Sequence, residues 1–228
     1  MRIAANAHVA HWIPGRLHPF ARDVGSIIPI GFDAYARVFH PPYRLSPDGR
    51  LVPVKWRDIA AANDRTIAAE MQRMGPAAEP ARHSASGETL WDQQPSVGSM
   101  PHELAVRLAE ILAAHTQTAD RCWFAVWEGG GDLDAQWVRA PRFSVPERRL
   151  HLLEGAVHEV TTTLSEVDWI YHSPNLWWPD DRAWCVATEI DFNWTYVAGS
   201  AACIARVLSD PDLEALPTTI DEGNAMER

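Results

Sequence analysis

Five of the chain's 11 tryptophans fall between Trp169 and Ser200, in the run WIYHSPNLWWPDDRAWCVATEIDFNWTYVAGS, and any fold must place Trp169, Trp177, Trp178, Trp184 and Trp194. Each buried aromatic removes roughly 150–250 Å² from water, and a buried indole also needs an acceptor for its N–H. Asp180, Asp181, Glu189 and Asp191 are interleaved with those rings. From Trp184 to Asp191 the side chains alternate with a period of two. That spacing predicts a strand with Trp184, Val186, Thr188 and Ile190 on one face and Cys185, Ala187, Glu189 and Asp191 on the other. Glu189 and Asp191 then point the same way, two residues apart on one sheet face.

Upstream, Ser173-Pro174-Asn175 and Pro179-Asp180-Asp181 are turn chemistry, because proline presets φ and Asn or Asp bonds nearby amides. Trp177 and Trp178 lie between these turns. Neighbouring side chains of an extended segment point to opposite sides, so at most one of the pair is expected in the main core. The other is left as a surface ring, a lid or part of an interface.

A chain of 228 residues with 46% hydrophobic content can build one sizeable core. Its formal net charge of -10 disfavours a nucleic-acid backbone or an anionic membrane as partner and suits a basic protein surface. The N-terminal run MRIAANAHVAHWIPG is a poor secretory signal. No run approaches the roughly 20 apolar residues of a membrane helix. Cys122, Cys185 and Cys203 are odd in number, far apart and set in apolar sequence, which reads as buried thiols in a reducing cytoplasm.

Along the chain, the first 31 residues are rich in His and Pro and read as irregular. Phe32–Phe39 alternates as a strand. Ser46-Pro47-Asp48-Gly49 is a turn, with Arg50–Val54 pairing back as a hairpin. Lys55–Met74 is helical in pattern, broken near Asn63-Asp64. Residues 76–99 hold few large apolar groups and are expected to form a mobile loop. Ser99 and Pro101 suit the start of a helix from Met100 to about His115. Cys122–Trp127 is a continuous apolar run, as expected of a central strand covered on both faces. Glu128-Gly129-Gly130-Gly131-Asp132 lacks phosphate-loop spacing and is a flexible turn. Further strand pieces are expected at 136–139, 148–153 and 157–164, with a helical turn at Glu154–Glu159 as the alternative. Gly199-Ser200 opens a helix through Leu208, and Asp210-Pro211 opens a short turn before a frayed C-terminus. Short strands with few intervening helices make this an α+β chain, residues 1–228 forming one domain with a mainly antiparallel sheet packed by a few helices.

No catalytic motif is present: there is no HExxH, no GxSxG and no paired metal-ligand spacing among the ten histidines. No metal or cofactor is implied. The leading expectation is a cytoplasmic acidic protein that acts by protein recognition, as regulator or antagonist of a basic partner, through Trp177, Trp178, Asp180, Asp181 and Arg182. Adjacent aromatic anchors beside carboxylates are the chemistry of such interfaces. Glu189 and Asp191 complete the candidate set. One alternative is a hydrolytic or metal-assisted site of carboxylates and His172 within residues 172–191. Another is binding of a small ligand or carbohydrate on the Trp rings.

Overall fold

The strands of the computed structural model, which describes residues 1–20, 23–67 and 81–223, are β1 (Arg2–Ile3), β2 (Ala34–Phe39), β3 (Tyr43–Leu45), β4 (Leu51–Pro53), β5 (Cys122–Trp127), β6 (Arg142–Val145), β7 (Arg148–Gly155), β8 (Leu176–Pro179), β9 (Trp184–Ala187), β10 (Trp194–Gly199) and β11 (Ala215–Thr218). Among the described residues the α-helices are α1 (Trp56–Ala61), α2 (His102–Ala113) and α3 (Ala201–Leu208). β3 and β4 form a separate hairpin across the Ser46–Gly49 turn. The others make a nine-stranded antiparallel sheet in the order β1-β7-β5-β8-β9-β10-β2-β11, with β6 sharing the outer edge of β7 with β1. The protein is therefore α+β.

Both faces of this sheet are core. Phe124, Trp177, Trp184, Val186 and Val197 face α2 and α3, which contribute Leu104, Leu108, Leu112, Ile204 and Val207. Trp123, Trp178, Cys185, Tyr196 and Ala198 face the other way, and the irregular N-terminal segment covers them with Ile13, Val24 and Ile28, joined by Trp56 of α1. Alternation in β8 sends Trp177 and Trp178 to opposite sides as expected, yet both are almost fully buried, at 0% and 1% exposure. Because the N-terminal segment forms a second cover, neither ring is left at the surface.

Several expectations are corrected. The strand from Trp184 ends at Ala187, because Thr188 N donates to Asn175 O at 2.7 Å and the chain turns through residues 188–193 into β10. Glu189 and Asp191 belong to that loop, where Asp191 N donates to Glu189 Oε2, and they do not share a sheet face. Residues 137–139 and 157–161 are 3-10 turns, the latter held by Ala156 N donating to Glu159 Oε1 at 2.8 Å. The extended Trp177-Trp178 segment is a sheet strand, β8, and β11 is a strand where a short turn was expected. Ser99 does not cap α2, whose N-cap is Pro101. Its hydroxyl instead accepts from Ser173 N at 2.9 Å.

Other boundaries agree with the sequence. Ser200 caps α3 by accepting from Cys203 N. α1 gives way to a turn at Ala62–Asp64, and the continuation of that helical pattern from residue 68 lies outside the described residues, as do residues 76–80 and 224–228. Leu90 and Trp91 pack on Ile59.

Under residues 96–98 runs a buried polar chain. Thr188 and Thr195 share a hydroxyl bond of 2.7 Å, Thr195 meets His40 Nε2 at 2.9 Å, and His40 Nδ1 meets Ser96 O at 2.8 Å. With Nδ1 donating to the Ser96 carbonyl, a neutral His40 accepts at Nε2 from the Thr195 hydroxyl, which in turn accepts from Thr188.

Candidate functional site

The candidate residues taken from the sequence fall into separate places. Trp177 stacks on Phe124 and meets Trp184 edge-on at 5.2 Å, while Trp178 lies edge-on to Trp12 and Phe143. Asp180, Asp181 and Arg182 form the β8–β9 turn. Asp180 accepts from Trp123 Nε1 at 3.2 Å and pairs with Arg121. Asp181 accepts from Thr116 Oγ1 and from the backbone of Gln117 and Ala183. Arg182 adopts the left-handed conformation, φ 57°, with its guanidinium 5.4 Å from the Trp12 ring. Glu189 and Asp191 follow β9 at the other end of the same hairpin. The proposed cluster of His172 with Asp180, Asp181 and Glu189 is therefore not assembled; His172 Nδ1 is 2.9 Å from Asp132 instead.

At the Glu189 end, β5 finishes at Trp127, β7 begins at Arg148, β8 begins at Leu176 and β9 finishes at Ala187, so the ends of the strands converge. The N-terminal segment crosses their face but does not fill it. A cleft of about 650 Å³, counting its open mouth, lies between Leu17, Phe20 and Ile27 of that segment and Trp127, Leu150, Leu176 and Ala187 of the sheet. Its lining is mostly apolar.

Polar groups stand at defined points of its wall. Arg148 donates to Glu189 Oε1 at 3.0 Å, and its guanidinium lies 4.8 Å from the Phe20 ring and 5.9 Å from that of Trp127. Burial pushes the Glu189 carboxyl above its ordinary range, against the Asp191 amide and Arg148, which hold it down. Asn175 is fixed between layers, accepting from Trp127 N at 2.9 Å and donating to Thr188 O at 3.2 Å.

Trp127, Asn175 and Ile190 also line a second hollow of about 660 Å³, again with its open mouth, together with Val97, Gly98, Ile170, His172 and Asp132. Gly98 holds this wall close: it has φ 74°, its N–H donates to Phe192 O, and an added Cβ would fall 2.3 Å from Ile190 O. Gly98→Ala is therefore expected to destabilise the fold by about 1–3 kcal/mol, from left-handed strain and displacement of the Ile190 carbonyl. Thermal denaturation checks this, and an unchanged melting temperature would contradict the close approach.

Arg148, Phe20, Trp127 and Asp132 were missed by sequence reasoning. Asp132 closes the glycine-rich turn and signals nothing by itself, and Arg148 meets Glu189 across 41 residues. Elsewhere, His18, Asp23 and Asp221 bring ligand-type atoms within 4.8 Å of one another, with His18 Nδ1 2.9 Å from both oxygens of Asp23. Asp23 also caps the Val24–Ser26 turn.

The three thiols are buried. Burial pushes Cys122 up to about 12, Cys203 up to about 11, and raises Cys185 as well, which removes the thiolate a nucleophile needs.

Fold and site together describe an α+β protein with a sheet covered on both faces and an open cleft at one end. No family model, curated protein or solved structure matches the chain.

Proposed function

We propose that this protein binds a small, largely apolar molecule in the cleft between the N-terminal segment and the ends of β5, β7, β8 and β9. Arg148 meets the polar or anionic end of that molecule. The observation that carries this reading is the cleft itself: an apolar opening with a few convergent polar groups, inside a sheet that is otherwise packed on both faces. Ligand sites commonly have this composition. Arg148 is held by Glu189 yet keeps 22% side-chain exposure, so it remains within reach of a ligand.

Partner recognition through Trp177–Arg182 has less support, since both rings lie in the core and the acids are engaged in the turn. A carboxylate centre has less support too, since its members sit at opposite ends of a hairpin. Among the described residues no helix is long and apolar enough to cross a membrane. The buried free thiols suit a reducing compartment such as the cytoplasm.

Fluorescence titration with anilinonaphthalene sulfonate, an apolar ring system carrying one anion, tests the reading. Saturable one-to-one binding is expected. Val145→Trp, which fills the mouth from a half-buried position, is expected to weaken it at least tenfold, about 1.4 kcal/mol. Absence of saturable binding, or equal binding by the variant, counts against the cleft.

A further inference from the structure

The most exposed aromatic of the described residues is Trp169, at 87%. It stands on a loop that its own hydrogen bonds hold in place. Thr163 Oγ1 donates to Ile170 O at 2.7 Å, Val167 N donates to Ser165 Oγ at 3.0 Å, and Glu166 N donates to Asp132 O at 2.9 Å. Ile170 and Val97, at 42% and 47% exposure, continue the apolar surface from Trp169 to the mouth of the hollow beside His172. A large ring held out in water on a tied loop loses solvent-exposed area without an ordering cost when something covers it.

The polar groups around this surface are acidic. Asp132 lines the hollow, with one oxygen on His172 and the other without a hydrogen-bond partner among the described residues. Glu166 and Asp168 precede Trp169, are exposed, and have no basic partner among the described residues. No Lys or Arg lines the hollow. Several other carboxylates are paired with arginine, as Glu128 is with Arg142 and Arg149, and Asp210 with Arg107 and Arg206. Glu166 and Asp168, with the Asp132 oxygen that His172 leaves free, stand beside an apolar rim and complement a cation on an aliphatic stem.

We infer that the hollow beside His172 receives an arginine or lysine side chain of a protein partner. The cation reaches Asp132, its stem lies along Val97 and Ile170, and the Trp169 ring covers it. Long basic side chains bury their methylenes while keeping the charge at a polar site, and an indole face attracts the cation. The chain's net charge of -10 steers such a partner toward it. This hollow shares the Trp127, Asn175 and Ile190 wall with the ligand cleft, while Asp132, His172, Val97 and Ile170 belong to it alone.

Selection of a randomised peptide library displayed on phage against the intact protein tests the inference. The recovered peptides are expected to share Arg or Lys, to bind more weakly as salt rises, and to lose at least tenfold in affinity for Asp132→Asn and for Trp169→Ala. Asparagine keeps an acceptor for His172, and Trp169 contributes little to the core, so both variants are expected to melt with the wild type. Failure to recover binders, binders with no shared basic residue, or binders that ignore both substitutions would overturn it. So would a wild-type dimer that Trp169→Ala dissociates, because a second copy would then be the occupant.

Discussion

Trp184→Ala is expected to lower the free energy of unfolding by about 3–5 kcal/mol, while Trp169→Ala, in the same tryptophan-rich stretch, stays within about 0.5 kcal/mol of the wild type. The difference follows from where β9 lies. Trp184 is fully buried in the middle of the sheet, packs edge-on against Trp177 at 5.2 Å, and donates its indole N–H to Leu112 O at 2.9 Å. That bond ties the sheet to the last turn of α2. Alanine opens a cavity beside Trp177 and removes the indole donor, while the Leu112 carbonyl still accepts from His115 N at 3.0 Å, so the cavity carries most of the loss. Trp169 touches none of this. Urea unfolding of both variants gives the comparison, and similar losses from the two would contradict the layered core.

The pH dependence should show a second large effect, centred on His40. This ring is completely buried, and burial pulls it down to about 4 from an ordinary 6.5. Between those values the unfolded chain binds a proton that the folded chain does not, so stability falls as pH is lowered through this window. It then levels off below about 4 with respect to this group. At roughly 1.36 kcal/mol for each pKa unit, His40 accounts for a loss of about 3 kcal/mol between pH 7 and pH 4. The cause is burial of the ring, against the Ser96 carbonyl, which accepts from Nδ1 and holds the value partly up. Denaturant midpoints across that range for wild type and His40→Gln read the effect. The variant starts less stable, and its slope between pH 4 and pH 6.5 is expected to be shallower by this amount. Parallel curves would place the titration elsewhere.

Much of the sheet was legible because its strands alternate or run apolar between clear turns, as in Phe32–Phe39, Cys122–Trp127 and Trp184–Ala187. Helix α3 was legible from Ser200, and the β3–β4 hairpin from Ser-Pro-Asp-Gly. β8 was not, since Leu176-Trp177-Trp178 is too short to show a period and is bracketed by turn residues. β11 was obscured by Pro217, which an edge strand tolerates.

The fate of Trp178 depended on the N-terminal segment. Its Ile13, Val24 and Ile28 have no strand or helix period, yet they make the second cover of the sheet. That one unreadable layer moved the candidate site. It took Trp178 out of reach of a partner, as α2 and α3 did Trp177, and by stopping short of the ends of β8 and β9 it left the cleft open. The pairings that mark the two hollows, Arg148 with Glu189 and Asp132 with His172, span 41 and 40 residues and exist only once the strand order is set.

The cleft is tested most directly by the amide NMR spectrum of the intact protein titrated with anilinonaphthalene sulfonate. Saturable shifts are expected at Ile27, Leu150, Leu176, Ala187 and Glu189, with the Asp180–Arg182 turn at the far end of the hairpin unmoved. Shifts centred on that turn, or scattered over the surface without saturation, would contradict a binding site between the N-terminal segment and the strand ends.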